Sequence, residues 1–299
     1  MKIPLILDGG MGQELLRRSA RPITPMWSAD IMLHEPQLVA DLHLEFIKAG
    51  ADVITLNTYT ATPPRLTRDA QIDLLPVLHE QAQLMAEQAR MRSNRDDVHI
   101  AGCLPPLVAS YKADACLAFE QSLHIYRELV ALQAPASDIF ICETMSSIDE
   151  AKAACTAAKE SGKETWVAFS VKDACSSDAD ALLRSGESLN AALLAILPMQ
   201  PDAVLLNCSV PEAITACWAL LQTHAAPTFR IGAYANGFTS VESLYPGDTV
   251  EVLTARKDLS PSQYANHAMH WFNEGASIVG GCCEIGPAHI DELSKKLRG

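Results

Sequence analysis

The chain has 299 residues, of which 48% are hydrophobic, 20% charged and 6% aromatic. This composition is typical of a folded globular protein and excludes a fibrous or disordered one. A formal net charge of -13 without any run of lysine or arginine excludes an electrostatic surface for nucleic acid or an anionic membrane. The apolar stretch before Asp8 is too short for a signal peptide, and no apolar run reaches the ~18 residues of a membrane span, so we expect a cytoplasmic location.

Eight short apolar runs recur along the chain, and each is followed by a segment with helical periodicity. Near-continuous apolar runs of this length are typical of strands buried on both faces of a parallel sheet. Eight strand–helix units in a chain of this length favour a closed (β/α)8 TIM barrel over an open doubly wound sheet. The runs cover residues 4–8, 52–57, 98–104, 138–143, 165–171, 202–207, 228–234 and 277–281.

The organisation predicted for the chain is a single domain, 1–299, because no Pro/Gly/Ser-rich linker divides it. A stripe of apolar residues with a period near 3.6 follows Pro211 and predicts a crossover helix that includes Ile214, Cys217 and Leu221. Long connections follow several strand ends, where barrel enzymes build their sites. These connections are 21–36, 58–73, 105–113, 172–185 and 235–259.

Three cysteines fall at predicted strand ends: Cys208 directly after the sixth strand, and Cys282 with Cys283 after the eighth. In a closed barrel only one strand separates the two positions, so the thiols can converge. Three soft thiolates with an open fourth position describe a catalytic zinc site. Gly280 and Gly281 offer the backbone freedom for neighbouring side chains to point the same way. The alternatives are inert buried cysteines and a strained redox disulfide.

The remaining six cysteines divide into two groups. Three are expected on helices, where core packing explains them, and three lie nearer the strand ends, where they remain possible substitute ligands. If Glu143 points into the barrel, the alternation of side chains turns Cys142 outward toward the helices. The helix group is Cys116, Cys155 and Cys217, and the strand-end group is Cys103, Cys142 and Cys175.

Five segments together resemble the homocysteine S-methyltransferase family. The resemblance implies a zinc-dependent (β/α)8 barrel enzyme that methylates the sulfur of homocysteine to give methionine, with Zn²⁺ as cofactor. Its zinc ligands would be Cys208, Cys282 and Cys283. The segments are "LDGGMGQEL" at 7–15, "ITLNTYTATPPRL" at 54–66, "CETM" at 142–145, "LLNCS" at 205–209 and "VGGCCEIGP" at 279–287.

The chemistry of such a reaction limits the methyl donor. Zinc would favour the thiolate of homocysteine, which is the attacking form of a thiol with a pKa of ~8.5. A sulfonium leaves as a neutral thioether, so we expect S-methylmethionine or S-adenosylmethionine; betaine fits less well, and folate would need further domains. Segments 101–115 and 232–238 differ from family members that use S-methylmethionine, which leaves the donor open.

The amino-acid part of homocysteine needs its own contacts. Asp8 and Glu143, at the ends of the first and fourth strands, are expected to bind its ammonium group, in agreement with the family. The backbone amides of Gly9, Gly10 and Met11 are expected to receive its carboxylate. Asp8 alone is equally consistent with a cap of the following helix. "GGMG" lacks the spacing of a dinucleotide-binding loop and indicates close backbone approach instead.

Four further side chains follow the second and seventh predicted strands and are candidates for the donor pocket. They are Asn57, Tyr59, Tyr234 and Asn236, and the aromatic faces among them suit a sulfonium cation. Loop packing explains the same residues equally well. Ser170, at the end of the fifth strand, is a minor candidate for substrate contact.

Two rival functions remain open at this point. The first is a zinc-thiolate barrel that methylates another thiol or a selenol, and the second is a non-catalytic zinc or redox sensor. The expected partners are small molecules, namely homocysteine and a cationic methyl donor, with neither nucleic acid nor membrane. The sequence leaves the oligomeric state open.

Overall fold

Eight parallel strands form one sheet that curves into a nearly closed barrel in the computed structural model, which describes residues 3–225, 229–241, 243–244 and 252–299. The strand order is β1-β8-β7-β6-β5-β4-β3-β2, and a parallel bridge between Leu7 and Val53 brings β1 back to β2. The expected (β/α)8 barrel is confirmed. The strands are β1 Leu5–Ile6, β2 Val53–Thr55, β3 His99–Leu104, β4 Ile139–Met145, β5 Glu164–Phe169, β6 Ala203–Asn207, β7 Arg230–Tyr234 and β8 Ile278–Val279.

Helices surround the barrel, as the periodic segments predict. Among the described residues, no helix combines the length and apolar character that crossing a bilayer requires. Residue 228, where the seventh predicted run begins, and residues 242 and 245–251 of the last long connection lie outside the described residues. The helices are α1 Met11–Arg18, α2 Ser28–His34, α3 Pro36–Lys48, α4 Pro63–Arg68, α5 Leu75–Ser93, α6 Phe119–Gln133, α7 Ile148–Glu160, α8 Leu189–Ile196, α9 Pro211–Ala216, α10 Trp218–Ala225, α11 Pro261–Asn273 and α12 Pro287–Arg298.

Alternation along the strands separates the barrel interior from the layer between barrel and helices. On β4, Ile139 and Ile141 pack with the side chains inside the barrel, whereas Phe140 and Cys142 pack in the outer layer. Glu143 continues the inward series and lines a cavity at the carboxyl end of the barrel. Cys142 therefore faces the helices, as its position next to Glu143 predicts.

Two cysteines expected on helices lie outside them. Cys116 has extended backbone between a short 3-10 turn, Ala113–Ala115, and the start of α6. Cys217 lies at the break between α9 and α10, where its amide is shared between the carbonyls of Ala213 and Ile214. The helix after Pro211 is thus two short helices, because a shared hydrogen bond of this kind interrupts the regular ladder.

Gly9 and Gly10 allow the loop after β8 to lie directly against the loop after β1. A Cβ atom on Gly9 would lie 2.0 Å from the carbonyl oxygen of Ile285, and one on Gly10 would lie 2.7 Å from that of Cys282. Both distances are shorter than any van der Waals contact, and backbone atoms cannot move aside as a flexible side chain does. The close backbone approach expected of "GGMG" is confirmed.

A Gly9→Ala variant is expected to lower the free energy of unfolding by about 2–3 kcal/mol, since overpacking against backbone forces the two loops apart. Gly162→Ala is the control: Gly162 has a φ of 73°, and a Cβ atom added there would meet nothing within 4 Å, so this variant adds only backbone strain of about 1 kcal/mol. Denaturant unfolding measures both. A smaller effect at Gly9 than at Gly162 would contradict the steric explanation.

Candidate metal centre and substrate cavity

Three cysteine sulfurs meet at the carboxyl end of the barrel. The Sγ atoms of Cys208, Cys282 and Cys283 all lie within 4.8 Å of one another, the one group of this kind among the described residues. Cys208 and Cys282 are joined by a disulfide with their Cα atoms 5.8 Å apart. Sulfurs separated by 74 positions in sequence therefore converge, as the strand assignment predicts.

Strand β7 sets this convergence, because it lies between β6 and β8. The amide of Cys208 donates to the carbonyl of Tyr234 at 3.3 Å, and the amide of Cys282 donates to the carbonyl of Ala235 at 2.9 Å. Cys208 itself has a φ of 46°, a left-handed conformation that is unusual for a residue other than glycine. That backbone turn directs its side chain across β7 toward Cys282.

Gly280 and Gly281, which precede the vicinal cysteines, do not act through the backbone freedom that was expected of them. The left-handed positions nearby are Cys208 and Glu284, whereas Gly280 and Gly281 have no positive φ. Gly280 instead allows contact with β1, since a Cβ atom there would lie 2.4 Å from that of Leu7. The two thiols share one side because the chain leaves β8 at Val279 and turns, so strand alternation no longer applies.

The cluster fits a zinc ion by geometry and by chemistry. Tetrahedral zinc with Zn–S bonds of ~2.3 Å places its sulfur ligands about 3.8 Å apart, a spacing that sulfurs within 4.8 Å of one another reach by small side-chain shifts. Burial raises the pKa of the Cys283 thiol to about 12, so the site disfavours free thiolates. A bound cation would compensate that cost, and thiolate sites for zinc depend on this exchange of protons for metal. Binding requires that the Cys208–Cys282 disulfide be reduced.

Two buried carboxyl groups line the same cavity. Asp8 accepts hydrogen bonds from the Thr55 amide at 2.8 Å and the Thr55 hydroxyl at 3.2 Å, whereas Gly10 begins α1 without any side-chain cap. Asp8 therefore does not cap the helix. Burial, with a contribution from Glu143, raises the pKa of Asp8 to about 8, and burial raises the pKa of Glu143 to about 7. An ammonium group between the two would stabilise their charged forms.

A bulge in β4 lies next to Glu143 at the carboxyl end of the strand. The register between β4 and β5 shifts after Cys142, and Thr144 has a φ of 59°. The Thr144 amide donates to Oδ1 of Asn207 at 3.0 Å, and the Asn207 amide donates to the Thr144 hydroxyl at 3.0 Å. Since Asn207 directly precedes Cys208, this pair of bonds fixes the carboxyl end of β4 relative to the cysteine cluster.

Most of the residues expected at the site line one cavity, together with the three cysteines. Asn57 is held by a bond from its amide to the Ser28 carbonyl, at 3.1 Å, and the Tyr59 hydroxyl bonds to that of Ser110 at 2.9 Å. The hydroxyl of Tyr234 is enclosed and has no partner among the described residues. The lining includes Asp8, Gly9, Gly10, Met11, Asn57, Tyr59, Glu143 and Tyr234.

Two candidates lie outside the cavity lining. Ser170 is completely buried behind the cluster, where its hydroxyl donates to the Cys208 carbonyl at 3.2 Å. Asn236 is also completely buried, and its side-chain oxygen accepts from the Phe238 amide at 3.1 Å. The Ser170 hydroxyl and the Asn236 side-chain oxygen thus bond within the protein, whereas the Asn236 side-chain nitrogen is enclosed without a partner among the described residues. The expected contacts of both residues with substrate or donor stay predictions.

The expected carboxylate site is also smaller than the sequence indicates. The Gly10 amide donates to the Ile285 carbonyl at 2.8 Å, and the Met11 amide donates to the Gly9 carbonyl at 2.9 Å. The Gly10 amide is thus bonded to the loop after β8, which lies against it. The Met11 amide is bonded within its own loop. Of the three amides named from the sequence, only that of Gly9 is retained for this role.

Several residues at the cavity were not singled out from the sequence. The Cys103 thiol donates to Glu143 at 2.9 Å and is thus no part of the three-cysteine cluster. Gln13, Trp27 and Arg65 also line the cavity. The sequence indicated only the regions in which these residues lie: Trp27 and Arg65 in long connections after strand ends, and Gln13 after the first glycine loop. No local pattern marks which of these side chains turns inward.

Fold and site together define a barrel enzyme, since a thiol cluster and buried carboxyls share the strand ends where such barrels carry their active sites. A sequence model described as homocysteine S-methyltransferase matches residues 5–297, and the chain belongs to this family of methyltransferases. Homocysteine S-methyltransferase of Escherichia coli is 27% identical over 98% of this chain and 94% of its own length. Selenocysteine Se-methyltransferase of Brassica oleracea var. italica is 27% identical over 98% and 88%.

Solved structures agree on the fold. The homocysteine methyltransferase MmuM from Escherichia coli in its metallated form superposes with a TM-score of 0.81 at 22% identity, covering 99% of this chain and 96% of that chain. The oxidized form of the same enzyme gives a TM-score of 0.80 at 23% identity with the same coverage. At this identity the likeness establishes a common barrel architecture.

An Asp8→Asn variant is expected to flatten the dependence of thermal stability on pH in the substrate-free protein. The folded state raises the Asp8 pKa from an ordinary value near 3.8 to about 8, so it binds the proton more tightly than the unfolded chain. The resulting stability is complete below about pH 4 and is lost as pH rises to about 8. The melting temperature of the wild type should therefore fall over this range more steeply than that of the variant.

The control for this experiment is Asp41→Asn. Asp41 is exposed and its pKa is lowered by a hydrogen bond from Arg92, so its contribution changes only in acid, with the opposite sign. Above pH 5 this control should follow the wild type. Equal slopes for wild type and Asp8→Asn would refute the proton uptake assigned to Asp8.

Proposed function

We propose that the protein is a zinc-dependent methyltransferase that moves a methyl group from a sulfonium donor to the thiol of L-homocysteine, giving methionine. In this reaction the bond between the methyl carbon and the donor sulfur breaks and a bond to the homocysteine sulfur forms. The thiol loses its proton to solvent, and the sulfonium leaves as a neutral thioether. Atoms and charge balance without an oxidant or reductant.

One observation carries the proposal: the cysteine cluster and the buried carboxyl pair open into the same cavity. Homocysteine has a thiol at one end and an ammonium group at the other. The cluster suits the thiol, and Asp8 with Glu143 suits the ammonium. The names of the curated relatives support the same acceptor.

Within this proposal the residues of the chain bind and orient the substrate. Zn²⁺ held by Cys208, Cys282 and Cys283 would supply stabilisation of a thiolate at neutral pH. Asp8 and Glu143, both with raised pKa values, would be charged when the ammonium group lies between them. Asn207 keeps these two ends of the substrate at a fixed separation, since it ties the carboxyl end of β4 to Cys208. Positioning of this kind lowers the entropic part of the barrier.

The methyl donor is proposed to be S-methylmethionine or S-adenosylmethionine. Both present a methyl group on a positively charged sulfur, so that the leaving group is uncharged. The product places the enzyme in methionine biosynthesis. The cavity walls that a donor would contact include Asn57, Tyr59 and Tyr234, and the unpartnered Tyr234 hydroxyl offers it a hydrogen bond.

A selenol acceptor is the second candidate. The relative from Brassica oleracea is named selenocysteine Se-methyltransferase and covers nearly the whole chain. A selenol differs from a thiol in one atom, and the cysteine cluster would accept either. Competition between homocysteine and selenocysteine in one reaction mixture decides which acceptor is preferred.

The direct test is to incubate the reduced, zinc-loaded protein with homocysteine and each sulfonium donor, and to measure methionine by mass spectrometry. Homocysteine labelled with ¹³C in its carbon chain should give labelled methionine in equal amount to the unlabelled thioether released, which in the case of S-methylmethionine is methionine itself. Absence of methionine with every donor, while zinc remains bound, would favour a zinc-binding protein without this activity.

A Cys208→Ala variant is expected to lose both zinc and turnover. Removal of one of three thiolates weakens the site by orders of magnitude, because only two thiolates then hold the metal and water fills the vacated position. Metal analysis of the reduced protein and the methionine assay measure the two effects. Cys155→Ala removes a buried cysteine of α7, in the outer layer, and should retain zinc at full stoichiometry. Full zinc content in Cys208→Ala would disprove the ligand assignment.

A further inference from the structure

Arg65 on α4 is a cationic side chain at the cavity that the proposed reaction leaves without a role. Its side chain lines the cavity, where Nη2 donates to the Pro106 carbonyl at 3.1 Å and to the Ser110 hydroxyl at 3.4 Å. The Nε atom is enclosed and has no hydrogen-bond partner among the described residues. The ion pairs formed by the described residues do not include Arg65.

An enclosed guanidinium without an ion-pair partner is costly for the free protein. Arginine carries five N–H donors in a planar fork, and loss of hydration is repaid only by an anion or by several acceptors. Burial also lowers the pKa of Arg65, because the same loss of hydration disfavours its charged form. The buried Glu150 carboxyl also acts on this charge, but the ion pairs of the described residues do not join it to Arg65, so an anion that enters with a ligand could complete the site.

The neighbours of Arg65 hold it in place. Its guanidinium lies over the ring of Tyr59, 5.6 Å from the centroid, and the Tyr59 hydroxyl bonds to Ser110, which Arg65 also contacts. Stacking and hydrogen bonding pre-organise the fork for a planar anion such as a carboxylate. The same stacking occupies a face of Tyr59 that the sequence assigned to a sulfonium.

Arg68 on the same helix gives the contrast. Its Nε and Nη2 atoms bind both carboxylate oxygens of Asp69 at 2.7 Å, so its charge is already compensated. The two arginines lie within one turn of α4 and line the same cavity. Only Arg65 is left with a donor that the described residues do not satisfy.

We propose that Arg65 binds the carboxylate of the methyl donor, and this inference rests on the proposed methyl transfer. The donors that fit are sulfonium compounds that also carry a carboxylate. In an amino acid the ammonium and carboxylate groups share one carbon atom, so the acceptor held at Asp8 and Glu143 presents its own carboxylate near those residues. Arg65 bonds to Pro106 and Ser110 of the loop after β3, whereas Asp8 bonds to Thr55 and Glu143 to Cys103, so the cation and the carboxyl pair have different neighbours at the cavity.

The test compares S-methylmethionine with its carboxamide, which keeps the sulfonium and loses the negative charge, at saturating homocysteine. Wild-type enzyme should prefer the acid by about tenfold to a hundredfold in kcat/KM, the usual effect of a hydrogen bond to a charged group. In Arg65→Gln, kcat/KM for the acid should fall by that factor, chiefly through a higher KM, and kcat/KM for the carboxamide should not change. Arg65→Lys should retain part of the preference, since it keeps the charge without the fork.

The control is Arg127→Gln, which removes an arginine that is paired with Glu160 on the outer surface. It should retain the wild-type preference. Calorimetric binding of S-methylmethionine and its carboxamide to the zinc-loaded wild type and Arg65 variants gives a second readout, and circular dichroism with zinc analysis verifies folding.

The outcomes separate the two proposals. Equal use and equal binding of acid and carboxamide by the wild type would overturn the role of Arg65, as would an equal loss with both donors in Arg65→Gln and Arg65→Lys. If the wild type forms no methionine, the proposed function fails, and binding still decides on Arg65. The role of Arg65 is supported if the wild type binds the acid more tightly than the carboxamide and Arg65→Gln binds the two equally.

Discussion

The hydrogen bonds accepted by the carbonyls of Tyr234, the last residue of β7, and Ala235, directly after it, are the constraint on which the site depends. One accepts from the Cys208 amide and the next accepts from the Cys282 amide, so a single strand fixes both sides of the thiol cluster. The closed barrel leaves no freedom here, because β6, β7 and β8 are neighbours in one sheet. The left-handed Cys208 is strained by itself, and its position between the bonded strands β6 and β7 holds it there.

Desolvation has the same effect on three acidic groups that line the cavity. It raises the pKa of Asp8, of Glu143 and of the Cys283 thiol, so the free protein binds protons where the proposed complex would have negative charges. In the proposed function each proton would be exchanged for a cation: a metal ion at the sulfurs and an ammonium group at the carboxyls. The cost of burying these groups would then be offset by the bound cations.

The barrel and its thiol cluster were predictable because both follow from strand periodicity. Apolar runs marked the strands, and the residue after a strand end is at the rim in any such barrel. The hydrogen-bond partners of the other candidate residues depend instead on tertiary structure. Gly10 and Met11 lost their free amides to local and cross-loop bonds, and Ser170 and Asn236 bonded backbone groups nearby. Arg65 gave no signal since its direction depends on how α4 packs against the loop after β3.

The proposed reaction requires the cavity to distinguish two amino acids. Acceptor and donor share the same head group, so a site that recognised only this group could bind either molecule in either place. In the proposals, the carboxyls of Asp8 and Glu143 would hold the ammonium group of one substrate and the guanidinium of Arg65 the carboxylate of the other. An inverted pair would satisfy the same contacts, so these charges orient each molecule without deciding which one gives the methyl group. The sulfur atoms would decide it, because a thiol can lose its proton and bind the proposed zinc ion, whereas a positively charged sulfonium is repelled by a cation.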